Sequence, residues 1–254
     1  MTIAFIHDLL DQTDGIALAA FGGEHRTRAK SDATLVTLAD TAIETRIRDR
    51  LADAHPQDAV LGEEFGAESG GSGRRWIVDP IDATHNFVRG IGVFATLLAL
   101  ERDGELQLAA VSAPALGQRW YASRGKGAHL REAGAERRIA VSRIGQWSEA
   151  HLLYTSLGRL DAEREGRLVA MARAAWRNRG FGDFWAHMLV AQGSAEAMIE
   201  DDLKPWDLAA PALIVAEAGG RVTNFAGRDS WLGPEAVSTN GLLHDEVLAR
   251  LASG

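Results

Sequence analysis

The chain has no cysteine. Disulfides, thiolate metal sites and a cysteine nucleophile are thereby excluded, and a reducing cytoplasm fits this composition. Long apolar runs are missing too. None approaches the ~20 residues that span a bilayer, so no membrane association is expected. Met1 to Leu10 carries His7 and Asp8 and has neither a basic n-region nor a small-residue cleavage site, so a signal peptide is not expected. Positive charge is in short supply, with 27 Lys and Arg against 35 Asp and Glu and a net charge of −8. The basic residues are scattered in small groups such as Arg137–Arg138. Nucleic-acid binding needs concentrated positive potential and is not expected here. Ser69-Gly70-Gly71-Ser72-Gly73 lacks the following Lys-Ser/Thr of a phosphate-binding loop and reads as a flexible connection. No internal repeat is visible.

What remains is 254 residues, 46% hydrophobic, enough for one large core or two fused half-cores. Residues 2–21 carry Ile3, Ile6, Leu9, Leu10 and Ile16 at helical spacing, and a second helix is expected over Leu38–Ala54 with Pro56 beyond its end. Trp76-Ile77-Val78 reads as a short strand. Val93–Leu100, Leu106–Ser112 and Arg119–Ser123 then form an antiparallel meander with turns at Asp103-Gly104 and Pro114–Gly117. Beyond about Ser142 strands and helices alternate. Strands are expected at His151–Tyr154, Ala197–Glu200 and Arg221–Asn224, with helices at Glu163–Ala174, Phe184–Gln192, Leu208–Ala218 and His244–Leu251. Mixed sheets covered by helices follow, in two halves. Residues 1–142 hold helices and an antiparallel sheet, and residues 143–254 form an α/β half.

Acidic residues fall where short elements begin or end. Glu63-Glu64 follows Val60-Leu61, Asp79-Pro80-Ile81-Asp82 follows the Trp76 strand, Asp207 opens a helix, and Asp40 lies early in the second helix. Such positions present groups rigidly while keeping them near solvent. Mg²⁺ takes oxygen ligands in near-octahedral geometry and retains waters. Two ions ~3.5–4 Å apart can hold the attacking and leaving oxygens of a phosphoryl displacement. Rigid Pro80 can aim Asp79 and Asp82 into one site, with the Ile81 carbonyl as a neutral ligand. Asp82-Ala83-Thr84 reads as a helix start with Asp82 in the N-cap slot and free N–H groups for a phosphate. Singly, each has a plainer reading: Glu63-Glu64 as a solvated turn, Asp82 and Asp207 as caps.

Taken together, Glu63-Glu64, Trp76-Ile77-Val78-Asp79-Pro80-Ile81-Asp82-Ala83-Thr84, and Trp206-Asp207 through Glu217-Ala218-Gly219-Gly220 resemble the inositol monophosphatase family. The resemblance runs from about Lys30, through Val36-Thr37-Leu38-Ala39-Asp40, to Gly241. It implies a layered αβαβα sandwich, a homodimer and a Mg²⁺-dependent phosphomonoesterase, with on the order of two or three Mg²⁺ per site and Mn²⁺ as an alternative. Metal ligands would be Glu63, Asp79, the Ile81 carbonyl, Asp82 and Asp207. Thr84 with Asp40 would orient and deprotonate the attacking water, the N–H groups of Ala83 and Thr84 would hold phosphate, and Glu64 would support the ligands. Ala83 stands where the family usually has glycine. It is expected in the first helical turn, where alanine does no harm. His85 replaces a common Thr or Lys and is placed at the site rim or on the substrate.

The second half sets the substrate. Gly182-Asp183, Glu200 and Lys204-Pro205-Trp206-Asp207 are most similar to the histidinol-phosphatase branch, which implies L-histidinol phosphate as the small phosphorylated metabolite. Asp183 and Glu200 would face its amine and imidazole. Asp183 as a mere helix cap stays open. So do inositol 1-phosphate, 3′-phosphoadenosine 5′-phosphate (for which only Trp185 and Arg179 lie nearby), and a non-catalytic regulatory member.

Overall fold

A computed structural model describes residues 3–22, 28–29, 35–158 and 160–252, with only the backbone described at 28, 29, 35 and 36. Lys30 lies outside these residues. Helix α1 (Ile3–Ala20) buries Ile6, Leu9, Leu10, Thr13 and Ala17 along one face. A two-residue ladder, β1 (Arg28–Ala29) with β2 (Leu35–Val36), leads to α2 (Leu38–Ala54). Thr37 caps α2. Its hydroxyl accepts the N–H groups of Ala39 and Asp40, and Asp40 Oδ2 accepts the Thr37 N–H.

The first sheet holds β3 (Ala59–Gly62), β4 (Gly66–Glu68), β5 (Arg74–Asp82), β6 (Ala95–Arg102), β7 (Glu105–Ala113), β8 (Gln118–Ser123), β9 (Gly127–Glu132) and β10 (Ala135–Ile139), with the short helix α3 (Thr84–Val88) after β5. Its order is β10-β9-β8-β7-β6-β5-β3-β4, antiparallel except for β3 beside β5. The second sheet has order β12-β11-β13-β15-β14, formed by β11 (His151–Tyr154), β12 (Arg177–Arg179), β13 (Ala197–Glu200), β14 (Arg221–Thr223) and β15 (Ala236–Thr239). Helices α4 (Ala162–Ala174), α5 (Asp183–Ala191), α6 (Pro205–Glu217) and α7 (His244–Leu251) complete the chain.

The buried clusters define the layers. Helices α1 and α2 pack on one face of the first sheet, around Ile43, Ile47, Trp76 and Phe94. On its other face Ile77, Leu97, Val111 and Trp120 meet Phe184, Met188, Leu208 and Ile214 of α5 and α6, which also cover Met198 and Ala236 of the second sheet. Leu168 and Met171 of α4 and Val247 and Leu251 of α7 close the far side. This is the expected αβαβα sandwich, with α6 buried almost all round between two sheets. Among the described residues no helix is long and apolar enough to cross a membrane.

Candidate functional site

The centre of the site is a break in a strand. From Trp76 to Asp82 every residue of β5 is buried, because the strand is flanked by β3 and β6 and covered on both faces. Pro80 has no N–H for the ladder, and the register with β6 shifts between Asp79 and Asp82. Such an irregularity re-aims side chains that strict alternation would send to opposite faces or keep in line with the pleat. Thr96 Oγ1 donates to the Pro80 carbonyl at 2.8 Å and fixes the bend. Asp207 arrives from the other half, in the first turn of α6, where its Oδ2 accepts the Lys204 N–H at 2.7 Å. Lys204, not Asp207, is the N-cap residue. One carboxylate oxygen from each of Asp79, Asp82 and Asp207 lies within 4.8 Å of the others.

Glu63 joins them through strand register. Parallel pairing sets Gly62 beside Val78, and the Glu63 N–H donates to the Val78 carbonyl at 3.2 Å, which puts Glu63 next to Asp79. The charges feel one another. Burial first, then Glu63, Asp82 and Asp207, push the Asp79 carboxyl well above the usual carboxylate range. Burial, Asp183 and Asp207 do the same for Asp82. Asp207 is pushed up to about 7, by burial and by Glu63 and Glu200, against the opposing Lys204 N–H bond. Like charges are thus crowded into one buried place, which favours the protonated form of each of these carboxyls. Oδ1 of Asp79 and Oδ1 of Asp40 are buried without a hydrogen-bond partner. All-oxygen donors, crowded negative charge and unpartnered buried carboxylate oxygens fit a hard divalent cation.

The titration gives a measurable sign. A carboxyl raised in the folded state contributes stability that is complete below the unfolded value of about 4 and is lost as pH rises through the folded value. The metal-free protein is therefore expected to lose stability from about pH 4 to about pH 7 and somewhat above. Cations relieve that loss. The difference in Tm between Mg²⁺ and EDTA should accordingly widen from pH 6 to pH 8. A difference that stays constant would mean these carboxylates do not take the ion.

Around the cluster the structure departs from the sequence reading in several places. Ala83 is not in the first helical turn. It is the N-cap residue of α3, with φ 65° and ψ 45°, and Asp82 is the last residue of β5. A left-handed alanine costs about 1–2 kcal/mol, so alanine here does carry strain. Thr84 and Asp40 do not pair. Thr84 Oγ1 donates to the Ile81 carbonyl at 2.9 Å, and both Thr37 groups donate to Asp40 Oδ2, at 2.8 Å from N and 2.5 Å from Oγ1. The Ile81 carbonyl keeps a second lone pair. His85 is exposed.

Gly182 holds the N-cap position of α5, and Asp183 follows it with φ 58°. The Asp183 N–H donates to Glu200 Oε1 at 3.1 Å, and the Phe184 N–H donates to Asp82 Oδ2 at 2.7 Å. The left-handed turn thus sets the Asp183 carboxylate where it raises Asp82. Glu200 was expected to face a substrate. It is buried, and both its oxygens are engaged by the protein, Oε2 by His187 Nε2 at 3.0 Å.

One residue was missed altogether. Glu44, on α2 and wholly buried, accepts the Glu64 N–H at 2.7 Å, the Phe65 N–H at 3.2 Å and Arg48 Nε at 2.9 Å. It holds the turn that carries Glu63 and Glu64. The signal for it was Gly62, whose absent side chain makes room: a Cβ there would lie 2.0 Å from Glu44 Oε1.

The chain resembles known proteins over nearly its whole length. The sequence pattern of the Inositol monophosphatase family matches residues 5–253. A histidinol-phosphatase of Mycobacterium tuberculosis is 45% identical over 249 residues, 97% of this chain and 96% of that protein. Among solved structures, Thermotoga maritima IMPase superposes with a TM-score of 0.87 at 31% identity, covering 98% of this chain and 96% of that one. An IMPase/NADP phosphatase complexed with Mg²⁺ and phosphate superposes with a TM-score of 0.84 at 25% identity, over 98% and 94%.

Proposed function

The chain belongs to the inositol monophosphatase family, and from that premise we propose that it hydrolyses L-histidinol phosphate to L-histidinol and phosphate with the help of bound Mg²⁺. The observation that carries the substrate choice is Asp183, a carboxylate turned by a left-handed backbone towards Asp82 at the edge of the ligand cluster. An ammonium group on the substrate would meet it there. A ring of hydroxyls would gain less from that carboxylate, because it carries no positive group to offset the carboxylate's repulsion of the phosphate, whereas an ammonium is attracted to it. The 45% identical histidinol-phosphatase supports the same choice.

Glu63, Asp79, Asp82, Asp207 and the Ile81 carbonyl are proposed to hold Mg²⁺, with Mn²⁺ as an alternative occupant. The ion supplies charge neutralisation of the phosphate and a water acidic enough to attack near neutral pH. The rest is done by the chain. The backbone N–H groups of Ala83 and Thr84, at the start of α3, would hold the phosphate oxygens. The Thr84 hydroxyl would position the water, and Asp40, with its Oδ1 unpartnered, would take the water's proton as the new P–O bond forms and the ester P–O bond breaks, the departing alkoxide taking up a proton from solvent water. Glu64 would steady the Glu63 turn through its backbone bond to Glu44. His85 would screen the rim.

Phosphate release from L-histidinol phosphate and from inositol 1-phosphate, in parallel, with Mg²⁺ and with EDTA, tests this. A kcat/KM ratio of at least about 100 in favour of histidinol phosphate is expected, about 2.7 kcal/mol of transition-state binding, with both activities lost in EDTA. A preference for inositol phosphate would overturn the substrate and leave the metal chemistry. Turnover unaffected by EDTA would overturn the metal.

A further inference from the structure

Asp183 and Phe184 begin α5 behind Gly182, an N-cap residue with no side chain to offer. Their two N–H groups are instead taken by carboxylates from other elements, Glu200 of β13 and Asp82 of β5. Glu200 is itself held. His187, one helical turn after Asp183 on the same helix, donates from Nε2 to Glu200 Oε2 at 3.0 Å, since a carboxylate can only accept. Nδ1 of His187 lies 2.7 Å from the Ser238 hydroxyl on β15. His187, Glu200 and Ser238 are all buried, at 1%, 4% and 0% exposure. Both ring nitrogens of His187 are thus matched to buried polar groups, which an apolar side chain in its place would leave without that partner. A buried imidazole in that place therefore answers to what lies at its far end. Glu200 staples the first turn of α5 twice, at Asp183 through the backbone and at His187 through the ring. A carboxylate fixed at only one oxygen could rotate, and the left-handed Asp183 persists only while its surroundings over-determine it.

We propose that His187, braced by Ser238, is a positioning residue for substrate selection: it fixes the Glu200 carboxylate, which holds Asp183 in the orientation that receives a substrate ammonium group. This rests on the reading of Asp183 given under the proposed function. His187 touches neither substrate nor metal ligands; it acts through Glu200.

The test compares the wild type with His187→Leu, His187→Gln and Ser238→Ala in the Mg²⁺-loaded enzyme, on L-histidinol phosphate and inositol 1-phosphate. In His187→Leu, KM for histidinol phosphate should rise about tenfold with kcat changed far less, while KM for inositol 1-phosphate, which has no ammonium, moves less than about twofold. His187→Gln, which restores a donor of similar reach, should recover part of the loss, and Ser238→Ala should shift the ratio about threefold. A purely structural role would lower Tm and move both substrates together. Wild-type enzyme without preference for histidinol phosphate would overturn the substrate reading and this inference with it. Wild-type preference kept intact in His187→Leu would overturn the inference alone. Should that variant not fold, an unmoved ratio in Ser238→Ala would overturn it equally.

Discussion

Asp82→Asn is expected to lower kcat by at least about 10³ while leaving the fold intact. Stabilising charge that develops on a transferring phosphoryl group is the dominant contribution in such sites, and the ligand set that brings cations there depends on ionised oxygens. The substituted amide would keep a carbonyl oxygen for the Phe184 N–H, so the start of α5 has no reason to move. It would also take one charge out of a crowded buried cluster. The metal-free variant should therefore melt at or above the metal-free wild type even as turnover collapses. Steady-state rates at saturating Mg²⁺, together with thermal melts in EDTA, check both halves. Near-wild-type turnover would sink the assignment of Asp82 as a ligand.

The second large effect is one of stability. Glu44→Ala should cost about 3 kcal/mol in urea unfolding, because it strands the N–H groups of Glu64 and Phe65, each worth about 1–3 kcal/mol when left unsatisfied. Arg48 softens the loss, since it also contacts the Gly66 carbonyl and Glu68. The same change should weaken Mg²⁺ binding, because the freed turn carries Glu63. Less than about 1 kcal/mol of destabilisation would mean the turn stands without Glu44.

How legible all this was depended on the range of the interactions involved. The helix at Leu38–Ala54 was readable to the residue, because Thr37 and Asp40 form a local capping box. His151–Tyr154, Ala197–Glu200 and His244–Leu251 were equally local. The carboxylates that cluster, Asp79, Asp82 and Asp207, were legible because the stretch from Trp76 to Asp82 and the Trp206-Asp207 pair are short motifs whose chemistry is written in residue type. What escaped is what only the folded chain creates. Glu44 looks like any solvated glutamate of an amphipathic helix until Gly62 packs against it. The β9–β10 hairpin carries Glu136, Arg137 and Arg138 on an exposed edge and shows no apolar alternation. Strand β15 is four buried residues next to Gly233-Pro234, too short to stand out, yet it supplies Ser238. The left-handed backbone at Ala83 and Asp183 is not announced by a glycine in this chain, and only the family's usual glycine at position 83 hints at it. Glu200 sits at the right distance from Asp207 along the chain, but the direction of its carboxylate is set by His187, which sequence spacing could not reveal.

Helix α6 lies between the two sheets and brings Asp207 to ligands that were synthesised well over a hundred residues earlier. That placement has a consequence for the order of events on the ribosome. A nascent chain that has completed the first sheet already holds Glu63, Asp79 and Asp82, but it lacks Asp207 and so cannot complete the carboxylate cluster. That cluster is completed only once the second half has been made and α6 has packed between the two sheets.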